Sequence, residues 1–182
     1  MLESASPSSP WVARFAPLIP EGGEVLDLAC GSGRHACLLA GMGYKVEAVD
    51  RDAVALEAMA GIDGITTRCA DLESGPWPYY ARTFDGIIVS RYLFRPLFPA
   101  IFNCLEIGGI LIYETFMEGQ QLLGKPSNPA FLLRSGELLD VIGKRFTVIA
   151  FEQGEVAGEK DNPPQVIQRI CVSRSRNARL LR

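Results

Sequence analysis

Apolar and polar positions along this chain follow two alternating patterns. Short apolar runs, typical of buried strands, take turns with stretches in which apolar residues recur at helical spacing. The apolar runs predict strands at 23–29, 44–50, 64–70, 84–90, 108–116, 145–153 and 165–173. Helical spacing and its stop signals predict helices at 11–19, 34–42, 53–60, 95–106 and 135–145, the last with Ser135 as its N-cap. Two prolines predict a loop at 71–83.

The order of these elements predicts the fold class. Strands that alternate with helices and are apolar throughout are typical of a parallel sheet covered on both faces. The last two strands have no helix between them, so we expect them to be antiparallel neighbours at one edge. The sequence therefore predicts an α/β fold: a Rossmann-like, doubly wound sheet of seven mostly parallel strands with an antiparallel edge strand.

Length and composition narrow the class of protein. The 182 residues suit one domain, which we place at 10–174, between a disordered Ser/Pro-rich segment at 1–9 and a basic tail at 175–182. A net charge of −3 argues against a nucleic-acid partner, since such proteins normally carry a basic excess. We see neither a signal peptide nor an apolar run of membrane-spanning length. Five cysteines without a CxxC pair predict reduced thiols and a cytoplasmic protein.

The turn after the first strand carries the most informative residues. Asp27 lies near the end of an otherwise apolar strand, and the segment Ala29–Arg34 (ACGSGR) follows it. Ligands of open α/β sheets bind outside the carboxyl ends of the strands. The two glycines of the turn allow a sharp bend and a close approach of backbone to ligand. The free N–H groups of the following helix favour an anion.

Two interpretations of this turn compete. The stretch fits the dinucleotide pattern GxGxxG/A, with Asp50 placed as a ribose-binding acid, which is typical of a nicotinamide oxidoreductase. Asp27 argues for the other interpretation, because its carboxylate would repel a pyrophosphate and attract an ammonium or sulfonium group. A ligand with such a cation, and with a carboxylate for the helix end, is an amino acid attached to a nucleoside.

The motif DLACGSGR at 27–34 resembles the first motif of class I S-adenosylmethionine-dependent methyltransferases. The resemblance implies that Asp50 binds the ribose hydroxyls. It also implies that CADL at 69–72 reads adenine, with Asp71 accepting from the exocyclic amine. The family usually has glycine where this chain has Ala29. The cofactor-binding residues implied are Asp27, Ala29, Cys30, Gly31, Gly33, Arg34, Asp50, Arg51, Ala70, Asp71, Leu72 and Ser90.

Three further segments resemble the tellurite-resistance-like branch of these enzymes: CGSGRHA at 30–36, RYLFRPLF at 91–98 and NPAFLLRSGELL at 128–139. The resemblance implies a small-molecule acceptor, such as a soft or anionic nucleophile, methylated by in-line displacement without a metal. Around the expected rim we name as substrate-binding candidates Arg91, Tyr92, Arg95, Tyr113, Glu114, Phe131 and Arg134. Our hypothesis is that one of the three arginines holds an anionic acceptor.

Two alternatives to a methyltransferase remain open at this point. One is a non-catalytic module that has the fold and binds the cofactor or a partner. The other is the nicotinamide oxidoreductase, which Asp27 disfavours. The sequence assigns no catalytic residue, acceptor or oligomeric state.

Overall fold

A seven-stranded mixed sheet organises the part of the chain that the computed structural model describes, residues 7–157 and 163–175. In chain order the strands are β1 (Glu24–Leu28), β2 (Lys45–Asp50), β3 (Ile65–Cys69), β4 (Phe84–Ser90), β5 (Leu105–Phe116), β6 (Thr147–Val156) and β7 (Gln165–Ser173). Across the sheet they lie in the order β3-β2-β1-β4-β5-β7-β6.

The strand directions confirm the predicted fold class. The strands β1 to β5 pair in parallel, whereas β7 is antiparallel to both β5 and β6. The antiparallel strand lies one position in from the edge, and β6 is the edge itself. Because the five parallel strands point the same way, their carboxyl ends meet along one side of the sheet.

Helices cover both faces of the sheet. They are α1 (Pro10–Phe15), α2 (Arg34–Gly41), α3 (Ala53–Glu57), α4 (Phe98–Cys104), α5 (Gln120–Leu123) and α6 (Glu137–Ile142). One buried cluster joins α1, α2 and α3 to the face that bears Val25, and a second joins α4 and α6 to the face that bears Leu26. Neighbouring strand residues belong to different layers because side chains alternate across a strand. No helix within the described residues is long and apolar enough to cross a membrane.

Several predicted element boundaries are wrong, and two regions show the largest differences. The helix predicted at 95–106 begins only at Phe98, after a single 3-10 turn, and its last two residues already belong to β5. Ser135 does not cap α6, because Gly136 is the N-cap with a φ of 72° and the Ser135 hydroxyl accepts from Gln153 Nε2 instead. The helix α5 was not predicted, since its four residues are too short to show helical spacing.

The loop at 71–83 is a loop, as predicted, but it contributes to the core. Trp77 and Tyr79 are both buried in it. The Trp77 indole N–H donates to Cys104 Sγ at 3.3 Å, and the Tyr79 hydroxyl donates to Glu47 Oε1 at 3.1 Å. The loop is therefore attached to β2 and to the end of α4.

The segment before α1 is tied to the rest of the domain. The Ser9 hydroxyl accepts from the N–H groups of Trp11 and Val12, and the Ser9 N–H donates to His35 Nε2 at 3.2 Å. These contacts place Pro7–Pro10 beside the carboxyl ends of the strands. Residues 1–6 and 176–182, which include most of the predicted disordered segment and basic tail, lie outside the described residues.

Candidate functional site

The turn between β1 and α2 has three residues in the left-handed region. Ala29 and Gly31 have φ 54° and Gly33 has φ 81°. A Cβ built on Gly31 meets nothing within 4 Å, whereas one on Gly33 would lie 2.6 Å from Met59 Cγ and closer still to its Sδ. Gly33 is therefore required for packing against Met59. Gly31 leaves open space beside the backbone, as a ligand-binding turn needs.

Asp50, at the end of β2, joins two loops. Its Oδ2 accepts from the Gly31 N–H at 2.8 Å, and its Oδ1 accepts from the Asp52 N–H at 3.0 Å. A carboxylate offers about four lone-pair positions, so each oxygen retains acceptor capacity for a hydroxyl group. Asp52 itself is the N-cap of α3 and accepts from two N–H groups of that helix.

Asp71, after β3, is already engaged in a turn. Its Oδ1 accepts from the N–H groups of Glu73 and Ser74, and its Oδ2 accepts from the Ser74 hydroxyl at 2.5 Å. These bonds, the Ser74 hydroxyl first, hold the pKa of Asp71 below its usual value. The carboxylate is thus ionised and fixed in orientation at the end of the strand.

Asp27 lies deeper than the other two acids. It is 1% exposed, on the face of β1 that α2 covers, and its Oδ2 has no hydrogen-bond partner among the described residues. Burial raises the pKa of Asp27 to about 7, although an N–H from Ala36 and the charge of Arg34 oppose that rise. A buried oxygen without a partner is costly, and such strain is typical of functional sites.

The first cavity has a volume of about 460 Å³ and lies at the carboxyl ends of the strands. This volume is within the range of about 300–1,000 Å³ that is typical of small-molecule and cofactor sites. The predicted residues that line it are Ala29, Asp50, Arg51, Ala70, Asp71, Leu72, Arg91, Tyr92 and Phe131. Five further residues complete the wall: Glu73, Leu93, Thr115, Phe116 and Pro126. They lie in or beside segments that leave β3, β4 and β5.

A second cavity, of about 210 Å³, lies on the α1 side of the same sheet edge. The segment Pro7–Pro10 and the ends of β6 and β7 form part of its wall. Arg34 and Glu114, both predicted site residues, line it too. Arg91, Thr115 and Phe116 line both cavities.

A chain of hydrogen bonds connects three predicted residues behind the second cavity. Arg34 Nη2 donates to Ser90 Oγ at 3.1 Å, and the Ser90 hydroxyl donates to Glu114 Oε1 at 3.1 Å. Glu114 is buried. Burial and the nearby charge of Arg91 lower the pKa of Arg34. Arg34 and Glu114 therefore hold each other in place through the serine.

Two of the predicted substrate arginines converge on a buried carboxylate instead of a cavity. Arg95 donates from Nε to Glu137 Oε1 at 2.6 Å and from Nη2 to Oε2 at 2.9 Å. Arg95 also donates to the carbonyls of Ala130 and Leu132. Arg134 lies 3.4 Å from the same carboxylate and is otherwise exposed. Burial alone would raise the pKa of Glu137, but the hydrogen bonds from the two arginines hold it below its usual value.

Six more predicted residues line neither cavity: Asp27, Gly31 and Ser90, which are described above, and Tyr113, Cys30 and Gly33. Tyr113 is 1% exposed, and its hydroxyl donates to the Tyr92 carbonyl at 2.8 Å. The Cys30 thiol donates to the Gly31 carbonyl at 3.5 Å, and burial raises its pKa. Gly33 packs on Met59 as described above. The structure thus gives these residues contacts that support the turn and the core.

The sheet order and strand directions are those of the class I methyltransferase fold, and the comparisons agree. Residues 25–109 match the family model described as a methyltransferase domain. That segment runs from β1 to β5 and contains the glycine turn, Asp50 and Asp71. A search of the curated proteins gave no significant match.

Solved structures show the same fold at low sequence identity. TehB from Haemophilus influenzae superposes with a TM-score of 0.74 at 18% identity, covering 91% of this chain and 62% of that protein. An S-adenosylmethionine-dependent methyltransferase from Methanosarcina mazei gives 0.70 at 18% identity, covering 92% and 98%. The Burkholderia thailandensis 1,6-didemethyltoxoflavin-N1-methyltransferase, with 1,6-didemethyltoxoflavin and S-adenosylhomocysteine bound, gives 0.66 at 17%, covering 91% and 77%.

These matches confirm the predicted resemblance to class I S-adenosylmethionine-dependent methyltransferases. The similarity to TehB agrees with the predicted tellurite-resistance-like relationship. They support S-adenosylmethionine as the cofactor. They give no support to the alternative of a non-catalytic module.

Proposed function

We propose that this protein transfers a methyl group from S-adenosylmethionine to a small-molecule acceptor. The observation that carries the proposal is the first cavity, in which the turn after β1, Asp50 after β2 and Asp71 after β3 meet at one sheet edge. A nucleoside joined to an amino acid matches this set of groups: acceptors for hydroxyls and an amine, and open backbone beside Gly31.

The cavity residues have distinct parts in holding this cofactor. Asp50 is fixed by the Gly31 and Asp52 N–H groups, so its remaining lone pairs are oriented before a ribose arrives. Asp71 is held by its turn and presents a charged oxygen to an adenine amine. Leu72 contributes an apolar wall. Such preorganisation lowers the entropic cost of binding.

The main contribution of the protein to methyl transfer is the alignment of the reacting groups. S-adenosylmethionine, when bound, would supply a methyl group on a sulfonium: an acceptor lone pair would attack the methyl carbon in line, and the carbon–sulfur bond would break to release the neutral thioether S-adenosylhomocysteine. The residues of this chain contribute by holding the acceptor, excluding water and keeping the reacting groups collinear. Alignment of this kind is worth about 7–11 kcal/mol in favourable systems. A soft anionic acceptor arrives without a proton and needs no general base.

Support for a small acceptor comes from the solved structures. The Burkholderia enzyme is named for methylation of a small heterocycle. The soft or anionic acceptor comes from the resemblance of three sequence segments to the tellurite-resistance-like branch. This chain spans only 62% of TehB, so the activity of that whole protein enters as part of our proposal.

Calorimetry with S-adenosylhomocysteine tests the proposal. We expect the wild-type protein to bind it and Asp50→Ala to bind it about 10- to 100-fold more weakly, because hydrogen bonds to a charged group contribute about 1.5–3 kcal/mol. Asp140→Ala, an exposed position on α6, is the matched control and should bind like the wild type. Equal affinity of the two variants would contradict the ribose assignment, and no binding to the wild type would contradict the function.

A further inference from the structure

Three arginines line the second cavity, and the side chains of two of them already pair with other groups of the protein. Arg169 donates from Nε and Nη2 to Glu152 Oε2, and its guanidinium lies over the Trp11 ring at 4.6 Å. Arg34 donates to Ser90 and, at 3.4 Å, to the Pro7 carbonyl.

Arg91 differs from both. Within the described residues its guanidinium makes no hydrogen bond or ion pair, and only its backbone N–H has a partner, the Glu114 carbonyl at 2.9 Å. Its positive charge adds to that of Arg34, since it helps to lower the pKa of Arg34 and of the neighbouring His35. Glu114 lines the same cavity, but its carboxylate accepts from Ser90 Oγ, and the Arg91 guanidinium pairs with no acid of the described residues. Arg91 is therefore available to a negatively charged ligand.

The backbone of Arg91 is strained in addition. It has a φ of 55°, and it is one of two non-glycine residues with positive φ in the described chain. A long side chain in this conformation costs of order 1–3 kcal/mol, and such strain concentrates at ligand-binding positions. The strained residue lies directly after β4, and its side chain lines both cavities.

The rest of the second cavity is small and of mixed polarity. Phe116, Val156 and Ile167 form an apolar part of its wall, and the carboxylate of Glu114 lies in the polar part. A volume of 210 Å³ corresponds to about seven water-sized groups, since liquid water occupies about 30 Å³ per molecule. A ligand that pairs with Arg91 and packs against the apolar part of this wall has an anionic group at one end and a compact apolar body.

We propose that the second cavity is the acceptor site and that the acceptor is a small organic acid whose anionic group pairs with Arg91. This inference rests on the proposed function, since it assigns the first cavity to the cofactor. It distinguishes Arg91 from Arg95 and Arg134, whose guanidinium groups lie on Glu137. The shared position of Arg91 places the acid next to the first cavity, where the methyl group is to be transferred.

Ligand-observed fluorine NMR on the protein saturated with S-adenosylhomocysteine tests the assignment. The probes are trifluoropropionate, fluorobenzoate and fluorophenylacetate, each beside its uncharged amide. Saturation with S-adenosylhomocysteine occupies the position of the cofactor's own carboxylate, so that the acid probes do not bind there. We expect acids to bind in preference to their amides. Arg91→Ala should weaken the acids about 10- to 100-fold, because it removes a charge-assisted pair, and Arg91→Lys should restore part of the binding.

The control variant is Arg145→Ala. It removes an exposed arginine just before β6, at the amino ends of the parallel strands, that lines neither cavity. It should bind the acids like the wild type. Calorimetry with S-adenosylhomocysteine on the same samples separates the two proposals. Failure of the wild type to bind that compound overturns the proposed function. If it binds, three results overturn the acceptor assignment: no acid binds, acids and amides bind equally, or Arg91→Ala weakens S-adenosylhomocysteine as much as the acids.

Discussion

Gly31 and Gly33 stand two residues apart in one turn, and replacing each with alanine should have opposite effects. A Cβ at Gly33 would lie 2.6 Å from Met59 Cγ, well inside the 3.5–4.0 Å at which carbon atoms pack. Overpacking of a buried neighbour costs about 1–3 kcal/mol, and a left-handed alanine adds about 1–2 kcal/mol. Gly33→Ala should therefore lower the free energy of unfolding by about 2–5 kcal/mol.

Gly31→Ala should be milder for stability and severe for binding. Its Cβ meets no protein atom within 4 Å, so the expected cost is only the conformational term of about 1–2 kcal/mol. The added methyl group occupies space that our proposal gives to the cofactor. We therefore expect S-adenosylhomocysteine affinity to fall at least about tenfold, a loss of about 1.4 kcal/mol.

Urea unfolding and calorimetry on the two variants measure these effects. Met59→Ala in the Gly33→Ala background removes the overlap, so a double-mutant cycle should show a favourable coupling of about 1–3 kcal/mol. The reasoning is refuted if Gly31→Ala binds S-adenosylhomocysteine like the wild type, or if Gly33→Ala is as stable as Gly31→Ala.

Three further predictions follow from the same contacts. Ala29→Gly relieves a left-handed φ and should raise the free energy of unfolding by up to about 1 kcal/mol in urea titrations, without weakening S-adenosylhomocysteine; a loss of stability would contradict the strain. Arg95→Ala leaves the buried Glu137 with a weaker partner. It should cost about 1–3 kcal/mol near neutral pH, and less below pH 4.5, where the protonated carboxyl no longer needs the pair; a pH-independent cost would contradict it. His35 stays neutral when folded because burial lowers its pKa to about 3, whereas unfolded histidine titrates near 6.5. Stability should therefore fall by up to about 1.4 kcal/mol per pH unit below pH 6.5, and His35→Gln should flatten that slope.

The sequence predicts the sheet well because its signals are local. Apolar runs mark β1, β4 and β5, apolar and polar residues alternate in β2, and a glycine lies next to the start of several strands. The missing helix between β6 and β7 sufficed to predict antiparallel pairing. Boundaries failed where a local signal competed with sheet pairing: Leu105 and Glu106 continue the apolar spacing of α4, yet they belong to β5.

The cofactor-binding residues could be predicted from the sequence because their signals, too, are local. Asp50 and Asp71 each follow a strand directly, and parallel strands bring such positions together. The second role of Asp50, accepting from the Gly31 N–H, was not predictable, because it depends on how the turn folds back over β2.

The acceptor-binding residues could not be predicted as well, because their contacts join distant parts of the chain. Arg95 and Arg134 carry the same charge as Arg91 in the sequence, and only the position of Glu137 separates them. The second cavity depends on the bond between Ser9 and His35, which are 26 residues apart. No spacing rule connects a serine before one helix to a histidine in another.

The central claim is that the nucleoside part of S-adenosylmethionine lies in the first cavity, between Asp50 and Asp71, with its sulfur directed toward Arg91. A crystal structure of the complex with S-adenosylhomocysteine measures this directly. We expect ribose hydroxyls within hydrogen-bonding distance of the Asp50 carboxylate and the adenine beside Leu72. Density for the compound in any other place, or an Asp50 carboxylate turned away from it, would show that this cofactor placement is wrong.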